Sequence, residues 1–164
     1  MATLPKPPKE VPVERRLEVL APAFRVAVEA LLRDLEAETG FKYRLFETLR
    51  TPERQAFLFG AGREWDDGRG IVTNARTSLD SWHGFSLAVD IVEKDATPWD
   101  VPPGFWEALG RLCKKHGLTW GGDWKKPDRP HVQWGRCPAS PSPLDKALWL
   151  ERGAPAVWER HKAT

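Results

Sequence analysis

No stretch of this chain approaches the roughly 18 to 20 consecutive apolar residues that a bilayer crossing requires. The opening segment, Met1 to Val13, is rich in Pro and Lys and has no apolar core of the secretory-signal kind. Membrane insertion is not expected, and the reading is of a product made in the cytoplasm. Neither sign of charge dominates. Lys plus Arg number 25 against 23 for Asp plus Glu, a formal net charge of +2. Both signs are scattered, so the basic stripe that tracks nucleic acid is missing. Cysteine is scarce, and Cys113 and Cys137 are too far apart to form a CxxC, which excludes a dithiol redox motif or a zinc knuckle. They are read as free thiols; a disulfide, or Cys137 as a rival metal ligand near His131, stays open.

What the chain does have is enough length for one domain. Its 164 residues can bury a substantial core without disulfide support. Pro5, Pro7, Pro8 and Pro12 make residues 1–12 an extended arm, and 13–137 carries the elements of a single catalytic domain. Pro138, Ser140, Pro141, Ser142 and Pro143 break regular structure, leaving 138–164 as a tail expected to pack back on the domain through Leu148, Trp149, Leu150 and Trp158. No internal repeat is visible.

Within the domain, Phe24, Val28, Leu31, Leu32 and Leu35 are spaced as one face of a helix that starts near Pro22 and stops at Gly40. Tyr43, Leu45 and Phe46 suggest a short strand. Thr51-Pro52-Glu53 then reads as an N-cap, a first-turn proline and a first-turn acid, which puts Arg50 at a strand-to-helix junction. The Gly-rich polar stretch from Gly60 to Gly70 reads as a long loop able to cover one side of a cleft. Leu87 to Val92 predicts a buried strand, and Phe105, Leu109 and Leu112 predict a second helix ended by Lys114, Lys115, His116 and Gly117. His116 is thereby explained as a cap. Thr119-Trp120 and His131 to Trp134 are further strands around a Gly121-Gly122 turn.

The chemistry gathers in two short segments, Ser81 to Asp90 and Asp128 to Gln133. A zinc ion that does chemistry typically takes three protein ligands and keeps a fourth position open. His83, Asp90 and His131 would supply the three, with Asp128 left over as a proton acceptor. On an uninterrupted strand, residues seven apart point to opposite faces, so His83 and Asp90 can meet only if the chain bends between them. Gly84 offers a bend. In the second segment His131 and Gln133 share one strand face, Val132 and Trp134 the other. Pro130 also holds Arg129 extended, which restricts Asp128. Most of the nine Trp residues are expected in the core, while Trp82, Trp124 and Trp134, beside the candidate ligands, are expected to wall the cleft. Asp123 is expected to fix its loop rather than bind metal.

The pattern S-x-H-x-x-x-x-A-x-D, followed by W-G-G-D-W and D-x-P-H-x-Q, resembles a family of zinc peptidoglycan peptidases. That family comprises phage L-alanyl-D-glutamate endolysins, bacterial L-Ala-D-Glu endopeptidases, and D-Ala-D-Ala dipeptidases and carboxypeptidases. The resemblance runs from about Phe41 to Trp134 and takes in Arg50-Thr51-Pro52-Glu53-Arg54-Gln55 and Val72-Thr73-Asn74-Ala75. It implies one zinc ion held by His83, Asp90 and His131, with Asp128 as the catalytic carboxylate. Arg50 is implied as the substrate-anchoring cation, an ordinary ion pair being the alternative. Ser81, Trp82 and Gln133 complete the candidate substrate contacts, although Ser81 serves equally well as a turn cap. The implied fold is α+β, hedgehog- and DD-peptidase-like, with a small antiparallel sheet forming the zinc cleft and helices flanking it.

One departure stands out: the family usually has Gly where this chain has Ser86, a small strain if that position needs a positive φ. The implied activity is hydrolysis of the L-Ala to D-Glu bond of peptidoglycan stem peptides by a monomeric phage or prophage endolysin that reaches the wall through a separate holin-type protein. A D-Ala-D-Ala carboxypeptidase or dipeptidase, and a non-catalytic zinc-containing wall-binding module, are the alternatives.

Overall fold

The computed structural model describes residues 3–97 and 99–164, so the first two positions of the expected arm lie outside the described residues. Helix α1, Pro22–Thr39, forms where the apolar spacing predicts it. Pro22 opens it, and Phe24, Val28, Leu31, Leu32 and Leu35 are its buried stripe. Gly40 ends it at φ 74°, where a residue without Cβ is unstrained, and returns its N–H to the Glu36 carbonyl at 2.9 Å. Helix α2, Pro52–Gly60, starts on the Thr51 cap, whose hydroxyl accepts the Arg54 N–H at 3.2 Å. Helix α3, Phe105–Lys115, lies against α1, and beyond its end His116 meets Asp34 at 2.8 Å.

Strands β1 (Tyr43–Glu47), β2 (Ala88–Glu93), β3 (Leu118–Trp120) and β4 (His131–Trp134) form one sheet in the order β1-β2-β4-β3, with every neighbouring pair antiparallel. The class is α+β, as the resemblance implies. Val89 and Ile91 of β2 point into the core with Phe24, Leu31, Phe85 and Leu109, and the alternation of a strand sends Asp90 to the other face. In register, Asp90 lies opposite His131 on one side and Glu47 on the other, past an irregularity between Leu45 and Glu47. Three polar side chains thus sit in a row across the middle of the sheet.

The segment after Pro138 is more regular than its prolines suggest. It holds helix α4, Pro143–Arg152, and helix α5, Ala154–Arg160. Proline in a helix's first turn starts it rather than breaking it, and Ser142 and Asp145 close a capping box at the entry to α4. Val157 is fully buried, the Trp158 indole donates to the Phe85 carbonyl at 2.6 Å, and the Trp134 indole donates to the His161 carbonyl at 2.7 Å. Among the described residues no helix is long and apolar enough to cross a membrane.

Candidate active site

His83 reaches the site from a short 3-10 turn, Trp82–Phe85, which Ser81 caps by accepting the His83 N–H on its hydroxyl at 3.3 Å. Gly84 is needed there for a different reason from a simple bend. A Cβ on it would lie 1.9 Å from the Ser78 carbonyl oxygen, so only glycine lets the two turns pack. The residue that reverses the chain is Ser86, at φ 60° and ψ 32°. That left-handed conformation is the one in which the family's glycine is unstrained and a serine is not. The chain then enters β2 and returns Asp90 to His83.

The ligand atoms offered by His83, Asp90 and His131 all lie within 4.8 Å of one another. His83 Nε2 is 3.2 Å, and His131 Nδ1 is 3.7 Å, from Asp90 Oδ1. The far nitrogen of each ring is already engaged. His83 Nδ1 lies 2.8 Å from the Thr48 carbonyl, which can only accept, so that nitrogen carries a proton and in the neutral ring Nε2 offers the lone pair. His131 Nε2 lies 2.8 Å from Gln133 Oε1. The orientation of that amide is forced, because Gln133 Nε2 donates to the Pro138 carbonyl at 2.9 Å, leaving Oε1 as the acceptor and His131 Nδ1 as the free lone pair. Two imidazole lone pairs and a carboxylate converging with both tautomers set from behind is the donor set of a divalent metal with an oriented outer shell.

The electrostatics agree. Burial works against charge on His83, yet the adjacent Asp90 carboxylate raises its pKa. Burial likewise works against the Asp90 anion, but the charge and hydrogen bond of His83, with His131 and Arg50, bring it down to about 2. His131, pressed by burial and by the neighbouring His83, falls to about 4 and stays neutral. The pocket therefore stabilises positive charge at its centre while keeping an imidazole unprotonated, which a cation needs.

Asp128 stands at the mouth. Its N–H donates to the Gly121 carbonyl at 2.9 Å, and Gly121 can approach so closely only because a Cβ there would meet the Asp128 carbonyl oxygen at 2.5 Å. Its Oδ2 is 3.9 Å from His131 Nδ1. Withdrawal from water by the cavity wall, then repulsion from Asp90, pushes its carboxyl up to about 6, although the side chain remains 55% exposed. A carboxyl held near neutrality beside the ligands suits proton transfer.

These groups open onto a cavity of about 550 Å³. Arg69 of the polar loop lines one side, as expected, with Val72 and Thr73 just beyond that loop, and Trp124 packs 5.0 Å from the His131 ring. Other expectations need correction. Trp134 does not wall the cleft; it shares the Val132 face of β4 and stacks edge-on against Phe24 in the core. Trp82 reaches the cavity lining but is 2% exposed, with its indole N–H committed to the Pro138 carbonyl at 2.8 Å. Gln133 has both amide ends engaged, so its position fits support of His131 better than contact with substrate. Ser81 lines the cavity and is also the turn cap.

Arg50 lies in the cavity wall with its Nε and one terminal nitrogen both 2.6 Å from Glu47 Oε1, and with Gln55 Oε1 at 3.2 Å. Arg54 joins the same carboxylate at 3.4 Å. The ion-pair alternative for Arg50 is thus present, as a buried pair that faces the cavity. Asp123 meets Lys114 at 3.7 Å, outside the ligand set. Cys113 and Cys137 are unpaired and buried, with burial pushing each thiol up to about 12, and neither belongs to the ligand group. Sequence reasoning missed Glu47 and Trp99 and gave Arg54 no role of its own. Trp99 is 43% exposed at the cavity and stands edge-on to Phe46, and no local pattern marks it.

Comparison with known proteins bears on this geometry. Residues 74–134 match a family described as D-alanyl-D-alanine carboxypeptidase. The chain is 31% identical over 113 residues to the peptidoglycan L-alanyl-D-glutamate endopeptidase CwlK of Bacillus subtilis, a match spanning 62% of this chain and 66% of CwlK, just under two thirds of that relative. Its fold is similar to that of the Serratia marcescens L-Ala D-Glu endopeptidase ChiX, with a TM-score of 0.52 at 24% identity, covering 77% of this chain and 91% of ChiX. It is similar also to the D,D-pentapeptidase VanY of a VanB-type vancomycin resistance cassette, solved in complex with Zn(II), with a TM-score of 0.55 at 13% identity over 98% of this chain and 97% of VanY. The matched family, the relative and the two folds all agree with the zinc peptidoglycan peptidases that the chain's motifs resemble.

Proposed function

We propose that the protein is a zinc-dependent endopeptidase that hydrolyses the L-Ala to D-Glu bond of peptidoglycan stem peptides. The converging lone pairs of His83 and His131 beside Asp90 carry the assignment of a metal-dependent hydrolase, and the likeness to CwlK supports this bond over others. A zinc ion held by these residues supplies a Lewis acid that polarises a carbonyl and lowers the pKa of water to about 7. Asp128, at the cavity mouth with Oδ2 3.9 Å from His131 Nδ1, would accept the proton of the attacking water and return it to the leaving amine. Arg50 lies in the cavity wall, where its planar guanidinium suits a stem-peptide carboxylate. Thr51, Ser81 and Gly84 do no chemistry in this scheme; they hold the turns from which the reacting groups project.

The test is mass spectrometry of purified peptidoglycan digested by the zinc-loaded protein, with a chelated sample in parallel. A new D-Glu amino terminus made only with zinc is the expected product. Released D-Ala would replace the reading with a D-Ala-D-Ala carboxypeptidase, the activity by which the matching family is described, and bound zinc without cleavage would leave a wall-binding module. The reading extends to a monomeric phage or prophage endolysin, made in the host cytoplasm and admitted to the wall by a holin-type protein. Expression with and without such a protein tests it: lysis should require both.

A further inference from the structure

Thr48 is fully buried just beyond β1 and holds partners in two directions. Toward the site, its carbonyl accepts the His83 Nδ1–H at 2.8 Å. The Arg50 N–H donates to the His83 carbonyl at 3.0 Å, so the corner after β1 grips both the ring and the backbone of that ligand. Away from the site, both Thr48 donors end on one acceptor. Its N–H meets the Glu14 carbonyl at 2.8 Å and its hydroxyl meets the same oxygen at 3.2 Å. No other described residue accepts from either donor, and a buried donor without a partner is strongly disfavoured.

The segment that supplies this carbonyl is fastened at several points. Arg15 Nε donates to the Phe46 carbonyl at 3.0 Å, a guanidinium nitrogen of Arg54 donates to the Val11 carbonyl at 3.1 Å, and the Asp66 N–H donates to the Pro5 carbonyl at 2.9 Å. Val11 packs on Phe57, Leu58, Ala61 and Trp65, a small apolar cluster separate from the main core. The Glu14 carboxylate accepts the N–H groups of Arg15 and Arg16 and pairs with the Arg16 guanidinium at 2.8 Å. That closes the turn which aims the Glu14 carbonyl at Thr48.

We propose that the segment from Val11 to Arg16 is a positioning element of the metal centre: by clasping Thr48 it fixes the acceptor that sets the ring orientation and tautomer of His83. The inference rests on the metal-centre reading above. A functional constellation holds only while its side chains stay within about 0.5 Å of the productive geometry. A Thr48 carbonyl freed from its clasp no longer holds the His83 ring to that tolerance. Release of the arm therefore weakens metal binding without any change in the cavity lining, to which neither Val11 nor Glu14 belongs.

The experiment uses the full chain with Val11→Asp, which puts a charge into the apolar cluster, and with Glu14→Ala, which opens the turn. Tryptic cleavage after Lys9 and Arg15 reports whether the arm is released. Zinc affinity is measured by chelator competition, and the solvent exchange of the His83 Nδ1–H is followed by NMR without added metal. Leu35→Ala, which lowers stability in the buried stripe of α1 without touching the arm's partners or the cavity lining, is the control for general loosening. The expected result is a released arm, zinc binding weaker by about tenfold or more, and faster exchange of that proton, with zinc affinity unchanged in the control. A released arm with affinity and exchange both within twofold of the parent overturns the proposal, as does an equal loss of affinity in the control. If the parent binds no zinc, the metal-centre reading fails, and the exchange of the His83 proton alone then decides whether the clasp positions the ring. If Val11→Asp fails to fold, Glu14→Ala decides by the same readouts.

Discussion

Replacing Gln133 with Leu should separate support of the metal centre from stability of the fold. Gln133 is 1% exposed, and its Oε1 is the acceptor for the His131 Nε2–H at 2.8 Å. Leu removes that acceptor and keeps the residue apolar and comparable in size. The Pro138 carbonyl loses the Gln133 donor but keeps the Trp82 indole at 2.8 Å, so the chain after β4 stays tied down. What changes is the tautomer. With no acceptor behind it, the neutral His131 ring can move its proton to Nδ1, toward Asp90 at 3.7 Å and Asp128 at 3.9 Å. That places an N–H where a lone pair must face the metal. Loss of an outer-shell partner of this kind typically costs 10- to 100-fold in metal affinity, or about 1.4 to 2.7 kcal/mol, which agrees with the roughly 1 to 3 kcal/mol of an unsatisfied buried donor. Zinc affinity at pH 7.5 by chelator competition, with thermal unfolding alongside, reads both quantities. Gln133→Glu should keep affinity near the parent's, because it retains an acceptor for His131. It should also lower the unfolding temperature, because its second oxygen faces the Pro138 carbonyl. Zinc affinity of Gln133→Leu within twofold of the parent would refute the reasoning.

Asp128→Ala should retain full zinc content and lose turnover by about a hundredfold to ten-thousandfold, the usual contribution of a positioned acid or base; metal analysis beside a peptidoglycan assay checks both, and full activity would remove Asp128 from the mechanism. Ser86→Gly should relieve a left-handed serine worth about 1 to 2 kcal/mol while adding unfolded-state entropy worth about 0.4 to 1 kcal/mol, for a net gain of up to about 1.6 kcal/mol in urea denaturation; a loss of stability would show that Ser86 is unstrained. Asp145 is fully buried, and although burial acts to raise its pKa, hydrogen bonds from Ser142 and His161 lower it. A carboxylate depressed in the folded state contributes stability above its unfolded pKa of about 3.9, and loses it as pH falls through the folded value. Parent and Asp145→Asn should therefore converge in stability on acidification below that range. At pH 7 Asp145→Ala, which strands Arg160 and His161, should cost about 3 kcal/mol, or roughly 6 to 12 °C in Tm. A difference that does not shrink at all between about pH 6 and about pH 2 would contradict the linkage.

Much of this molecule is legible one segment at a time. The α1 stripe, the Thr51 cap, the Gly40 stop and the alternation of His131 and Gln133 against Val132 and Trp134 are local patterns, because helix and strand periodicities repeat within a few residues. The same locality explains the misreadings. Prolines after Pro138 mark helix starts as readily as breaks, and a tryptophan three residues from a ligand on one strand points to the opposite face, which sent Trp134 to the core. The pairing of Asp90 with His131 needed the β2–β4 register, and the need for Gly84 came from a carbonyl six residues away in the preceding turn.

The amino-acid sequence by itself determined the chemical inventory: two imidazoles and two carboxylates in a spacing that a zinc peptidase uses. Only the tertiary structure decided what stands behind them. His83 is oriented by the Thr48 carbonyl, Thr48 by the Glu14 carbonyl, and Gln133 by the Pro138 carbonyl. Every residue carries such a carbonyl, so the side chain at those positions gives no sign that its backbone has been recruited, and the recruitment exists only once the chain has folded.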